Sequence, residues 1–308
     1  GEMVLMMLTN GDGVKLVEEK FGNDKAMFEG ELSKVTSRVT EEYHDKKVGF
    51  TTYETVINYI NDKENSRKII LDAAYMSDKA NWSGLFEIVD SPVVMFMDCL
   101  EKGEIKDAVK CIPIIKEIHS GAVALQYTLA LIKKMIENEK ELEKIPELVW
   151  MFTRKEIVEG SGVGEGVELL RILRVLINKS VVILLRDCNF EALYKFCEKP
   201  NEVLGNVLKM EFRDEIDETD GMKNAENFVK LHPPQHVLFL GKALLENNHY
   251  IPTLLLGVAS RLKSLLVFPE SNSYLEELID EFQYTNLDMA NLIKKYREIV
   301  MQSTALNV

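Results

Sequence analysis

The chain has 308 residues, 46% of them apolar and 28% charged, with a net charge of −13 and a pI near 5.0. That balance belongs to a folded chain with enough apolar surface for a sizeable core, and glycine and proline are too few for long disordered linkers. An acidic chain lacks the basic footprint that phosphate-backbone binding needs, so nucleic acid is not an expected partner.

No run approaches the roughly 18 apolar residues of a membrane span, so no membrane contact is expected. Met3 to Leu8 is apolar but short, and Glu2 rather than a basic segment precedes it, unlike a secretion signal. The four cysteines, Cys99, Cys111, Cys188 and Cys197, include no C-x-x-C pair. They read as free thiols of a reducing compartment, which places the protein in the cytoplasm or nucleus.

Taken in order, the chain is helix after helix. Asp24 to Lys46 reads as one amphipathic helix with Met27, Phe28, Leu32, Val35 and Val39 on its apolar side. Thr51 or Thr52 is a candidate cap for a helix carrying Val56, Ile57 and Ile60, and Ser66 for one carrying Ile69 and Ile70. Ser91-Pro92 is a strong start signal, because proline loses nothing at the first helical position. Glu104 to His119 continues with Pro113 inside, where proline is expected to kink the helix. Gly121 to Glu137 is long, and Pro146 begins another helix through Trp150 and Phe152. Trp82 and Trp150 read as core anchors. Neither is followed four residues later by asparagine, so they do not form the tryptophan–asparagine ladder of nuclear-import armadillo proteins.

Gly160, Gly162, Gly164 and Gly166 form the glycine cluster of the chain. It lacks the preceding strand and the Gly-Lys-Ser/Thr ending of a phosphate loop, so it reads as a flexible inter-helix loop. Val167 to Asn178 follows and is polar only at Glu168, Arg171, Arg174 and Asn178. Their spacings of 3, 3 and 4 put them in one narrow stripe, as on the middle helix of a stack with a single strip left open. Val181 to Arg186, Phe190 to Cys197 and Val203 to Phe212 are read as separate helices. Glu211 to Gly221 carries six acids and one arginine, so an acidic loop is expected at 211–226. After Pro233-Pro234 come Val237 to Leu245, Thr253 to Phe268, Tyr274 to Phe282 and Leu287 to Met301.

Alternation of period two is absent. Short helices at about 40 residues per pair predict an all-α, HEAT/armadillo-like helical-repeat solenoid with degenerate repeats, spanning 1–308 as a single domain. A compact helical domain is the alternative.

Catalysis finds no foothold. No serine or cysteine nucleophile sits in a recognisable triad setting, and no cofactor is required. In His232-Pro-Pro-Gln-His236 the prolines forbid the single helical turn that would align both imidazoles, so no metal site is expected. The polar stripes are the better lead. Gln126 and Lys133 share one side of their helix, Arg171, Arg174 and Asn178 lie on the middle helix, and Arg261 sits beside Ser260, Lys263 and Ser264 on a later one. If these line one face, they receive a protein partner through an acidic or phosphorylated segment, since arginine clamps carboxylates and phosphates in two-pronged fashion. Alternatively Arg171 and Arg174 serve internal salt bridges. The chain is thus read as a non-enzymatic interaction scaffold, a regulatory or adaptor subunit. Its alternatives are a nucleic-acid-binding helical repeat and an enzyme on a helical framework.

Residues Gly164 to Ile177, GEGVELLRILRVLI, resemble a stretch in the armadillo-like domain of protein phosphatase 4 regulatory subunit 3, the SMEK/Falafel family, where glycines also open a Leu/Arg-rich helix. Residues 237–267 are similar to a later helix pair of that domain. The resemblance implies a helical-repeat subunit associated with a phosphatase. The family's amino-terminal β-domain has no match in this sequence, so its short-peptide specificity does not carry over.

Overall fold

The structure is a computed structural model and describes residues 24–161, 163–198, 205–210, 216–247 and 249–260. Every regular element among them is helical, in fourteen α-helices and two short 3₁₀ turns. In chain order the helices are α1 (Lys25–His44), α2 (Phe50–Asn61), α3 (Ser66–Met76), α4 (Trp82–Ile88), α5 (Pro92–Lys102), α6 (Ile105–Ile118) and α7 (Gly121–Asn138). Then come α8 (Ile145–Trp150), α9 (Arg154–Ser161), α10 (Val163–Arg186), α11 (Phe190–Glu198), α12 (Glu218–Leu231), α13 (Pro234–Glu246) and α14 (Tyr250–Ser260).

Local chemistry explains the ends. Asp24 caps α1 by accepting from the Met27 amide at 3.0 Å. Ser91 caps α5, Pro92 fills its first turn, and Gly103 closes it with φ +73°. Gly49 and Asn65, rather than Thr51, Thr52 or Ser66, stand at the caps of α2 and α3. Pro113 lies inside α6 without ending it.

The chain divides into two compact units: residues 1–137 with 151–170, and residues 138–150 with 171–308. In the first unit α1 packs on α3, α5 on α6 and α3 on α6. Its core includes Leu32, Val35, Tyr53, Ile57, Ile69, Phe96 and Ile112, each at most 1% exposed. Trp82 is buried and its indole donates to the Ala74 carbonyl at 2.7 Å. In the second unit α12 and α13 both pack on α14, and α11 packs on α13 and on the 3₁₀ turn Leu142–Lys144.

A repeat period shows in the polar contacts. Lys68 of α3 pairs with Glu29 of α1 across 39 residues at 2.9 Å. Lys110 of α6 pairs with Asp72 of α3 across 38 residues at 2.7 Å. Lys116 of α6 reaches Glu156, just inside α9, across 40 residues at 3.3 Å. The second unit repeats the interval: Asn224 to the Asp187 carbonyl across 37, His232 to Glu191 across 41, and His249 to the Leu208 carbonyl across 41. Each contact joins a helix, or the turn beside it, to its counterpart one repeat on. Near-constant spacing of this kind is what stacked helical repeats of about 40 residues produce.

Four sequence expectations change. The described glycines of the cluster are helical rather than in a loop, and Gly162 lies outside the described residues. Gly160 lies in α9, and Gly164 and Gly166 lie in the first turns of α10. A Cβ on Gly166 would stand 2.8 Å from the Val158 Cα and 2.9 Å from the Ile157 carbonyl oxygen, so glycine is there to let α9 and α10 approach backbone to backbone. Second, α10 runs unbroken to Arg186 instead of stopping near Asn178. Third, residues 205–210 form turns, not a helix, because Gly205 takes φ +62° and the Asn206 side chain accepts from the Leu208 amide. Last, of the expected acidic loop at 211–226, residues 218–226 belong to α12, whose Ala225 and Phe228 are buried, while 211–215 lie outside the described residues. The helices expected beyond residue 260 also lie outside them.

Candidate functional site

The candidate docking face is the part of α10 that belongs to the second unit. Leu173, Ile177, Val181 and Leu184 are at most 2% exposed and form its inner side. Arg171, Ile172, Arg174, Val175, Asn178 and Lys179 are exposed. At 100° per residue these cover nearly half the helix circumference, wider than the narrow polar strip the sequence suggested. The added surface is apolar: Ile172 is 37% and Val175 44% exposed. Arg174 makes no ion pair among the described residues, whereas Arg171 takes part in an interaction of its own. The result is an apolar patch beside an available guanidinium and an ammonium.

At the end of the same helix Arg186 is fully engaged. It donates to Glu139 at 2.9 Å and to Asp187 at 2.8 Å. It serves structure rather than a partner.

Gln126 and Lys133 lie exposed on α7 in the first unit. Gln126 donates to Glu165 at 3.5 Å, and Lys133 is 3.9 Å from Glu137 one turn on. Arg261 lies outside the described residues.

A second constellation, of which the sequence reading had only His232 and His236, gathers where α12 turns into α13. The His232 ring meets Glu191 of α11 at 2.6 Å and stacks on Phe228 at a centroid distance of 4.2 Å. His236 lies parallel to Tyr194 at 4.9 Å, and its Nδ1 is 3.5 Å from that of His232. The prolines therefore do not separate the imidazoles. Pro233 and Pro234 make the tight turn that returns His236 to His232, a helix-to-helix approach that helical spacing could not reveal. The His-Pro-Pro-Gln-His motif itself was the available signal. Among the described residues no group of three His, Cys, Asp or Glu side chains is placed to hold a metal.

The thiols are free, and Cys99, Cys111 and Cys188 are buried. Burial pushes the Cys188 and Cys197 thiols up to about 12, so neither supplies a thiolate nucleophile near neutral pH. Cys99 shares a proton contact with Cys111 and lies 3.5 Å from the Arg67 guanidinium, and both hold its thiol below the ordinary value. Cys111 is pushed up by the same contact and by burial.

All-helical architecture with a repeating interval near 40 residues defines an α-solenoid. In agreement, the family model for the RIC1 C-terminal alpha solenoid region matches residues 25–154, from α1 into the start of α9. The match supports a helical solenoid family and is not to the phosphatase 4 regulatory subunit. No curated protein and no solved structure matches the chain. No helix among the described residues is long and apolar enough to cross a membrane.

Proposed function

We propose that the chain is a non-enzymatic scaffold, a regulatory or adaptor subunit that holds a protein partner on the exposed face of α10. The observation that carries this reading is the juxtaposition of exposed Ile172 and Val175 with the unpaired Arg174. An apolar patch with one available cation suits an amphipathic partner segment with acidic or phosphorylated positions. Asn178 and Lys179 extend the polar border, and Arg171 adds charge to the same side. The solenoid class supports the role, because stacked repeats build extended binding surfaces without a catalytic pocket. A link to a phosphatase rests only on the likeness of 164–177 and 237–267 to that regulatory subunit. Four cysteines without a disulfide suit a reducing cytoplasmic or nuclear setting.

The test is photo-crosslinking from position 175 in native cell extract, with the captured segment identified by mass spectrometry. The expected product joins Val175's position to an acidic segment. Arg174→Glu should weaken binding of the corresponding synthetic peptide by about tenfold or more, since one charge-assisted contact contributes roughly 1.5–3 kcal/mol. It should leave melting unchanged, as Arg174 is exposed. Equal binding by wild type and Arg174→Glu would remove the α10 face from the function.

A further inference from the structure

We propose that the cavity between α11 and α12 is a binding site for the guanidinium group of an arginine side chain presented by a partner protein. The cavity lies in the second unit, apart from the α10 docking face, and its occupancy does not depend on that reading. Its volume is about 300 Å³. That is the lower limit for small-molecule sites, too little for a cofactor but ample for one long side chain.

The lining decides which side chain. Asp187 and Glu191 contribute carboxylates, Asn224 and Asn227 amides, and Phe190 and Phe228 aromatic rings. No lysine or arginine is among the residues that line it. The hydrogen-bonding capacity left over is mostly that of acceptors. Asn224 donates one amide N–H to the Asp187 carbonyl at 2.9 Å, which leaves its carbonyl oxygen and a second N–H. Arg186 holds Asp187 and also Glu139, so one cation serves two carboxylates and a negative charge remains. Glu191 receives His232 on Oε2 at 2.6 Å, while its Oε1 is 3.8 Å from Lys195.

Such a site calls for a donor-rich cation. Carboxylate and amide acceptors set at several angles favour a planar cation with a fork of N–H groups, which is the guanidinium rather than the compact ammonium of lysine. Phe190 and Phe228 are 1% and 3% exposed, with centroids 6.3 Å apart, so they are packed beneath the cavity as its apolar floor. At the rim, Leu231 is 78% exposed and suits the aliphatic stem of an incoming arginine. The net charge of −13 draws a basic segment toward the protein in the first place.

The experiment is titration of the full-length chain, labelled for NMR, with N-acetyl-arginine methylamide. N-acetyl-citrulline methylamide, of the same shape but neutral, and N-acetyl-lysine methylamide are the comparison probes. The arginine amide should shift resonances of Phe190, Asn224 and Asn227 with a millimolar dissociation constant. The lysine amide should bind several-fold more weakly and the citrulline amide at least tenfold more weakly. Asp187→Asn should weaken arginine binding at least fivefold. Should that variant fail to fold through loss of its Arg186 contact, Asn227→Lys decides: Asn227 is exposed, and a lysine there places a competing cation at the cavity, so binding should vanish. Glu226→Gln, on the same helix but not lining the cavity, should bind as wild type does. Equal binding of arginine and citrulline amides would overturn the proposal. So would undiminished binding by Asn227→Lys, or shifts scattered over the surface without these three residues.

Discussion

Replacing Gly166 with alanine should destabilise the protein, although the same change at Gly164 should not. Both glycines lie in the first turns of α10. In a helix, glycine to alanine ordinarily gains about 0.5–1 kcal/mol, because the chain loses less backbone freedom on folding. At Gly164 a new Cβ meets nothing within 4 Å, so that gain should appear largely intact. At Gly166 the Cβ would stand 2.8 Å from the Val158 Cα and 2.9 Å from the Ile157 oxygen. Both are backbone atoms, so no rotamer change relieves the contact. The helices must part by several tenths of an ångström, and overpacking of this kind costs roughly 1–3 kcal/mol. The Ile157 and Leu169 side chains, 0% and 9% exposed, would lose packing as they part. The net expectation is a loss of about 1–2 kcal/mol for Gly166→Ala and a small gain for Gly164→Ala. Urea unfolding followed by circular dichroism measures both midpoints. If Gly166→Ala proves as stable as Gly164→Ala, α9 and α10 do not approach backbone to backbone.

Two further outcomes are expected. Leu173 is 0% exposed on the inner side of α10, so Leu173→Asp buries a carboxylate with no partner, costs several kcal/mol, and should leave the chain insoluble or strongly reduce its melting temperature; a soluble variant with wild-type melting would place this side chain outside the core. Burial lowers the proton affinity of His249, against the opposing effect of its 2.8 Å contact with the Leu208 carbonyl. The unfolded chain, with an ordinary pKa near 6.5, therefore binds the proton more readily, so this stability is complete above that pH and is lost as pH falls below it. By pH 5.5 the loss reaches up to about 1.4 kcal/mol. Urea midpoints at pH 7.5 and 5.5 should differ less in His249→Gln than in wild type, and equal differences would exclude His249 as the source.

What sequence made legible is what local chemistry controls. Asp24 and Ser91-Pro92 announce α1 and α5 because caps act within a turn, and the apolar spacing of α7 needs no partner to be read. The glycine cluster misled because glycine near a helix end signals freedom, whereas Gly166 is required by the backbone of another helix. Residues 205–210 misled in the opposite sense: Val207 and Leu208 look helical and are buried, but Gly205 and Asn206 set a turn. The width of the α10 face depended on which neighbours arrive, and nothing in Ile172 or Val175 records that no helix among the described residues covers them. The repeat stayed hidden because its contacts change chemistry from one step to the next. The acid comes first in Glu29–Lys68 and Asp72–Lys110, and the base first in Lys116–Glu156. A pattern that conserves the contact but exchanges its members leaves no self-similar residues to align. His232 stood out in the sequence, but its partner Glu191 did not, because 41 residues separate them.

The way the chain threads its two units has a consequence for synthesis. After residue 137 the polypeptide leaves the first unit, gives 138–150 to the second, and returns for 151–170. At roughly 5–20 residues per second a ribosome needs a few seconds to make that excursion and return, and meanwhile the first unit waits without α9. Leu142, Ile145, Leu148 and Val149, each at most 5% exposed when folded, emerge well before α11, on which the Leu142–Lys144 turn packs. Nascent chains at this stage present apolar surface to chaperones, and an expressed fragment stopped there keeps it for good. A fragment ending at residue 154, the limit of the family match, would carry those four apolar side chains without α11 while lacking the rest of its own first unit. No single cut between 138 and 170 yields two whole pieces.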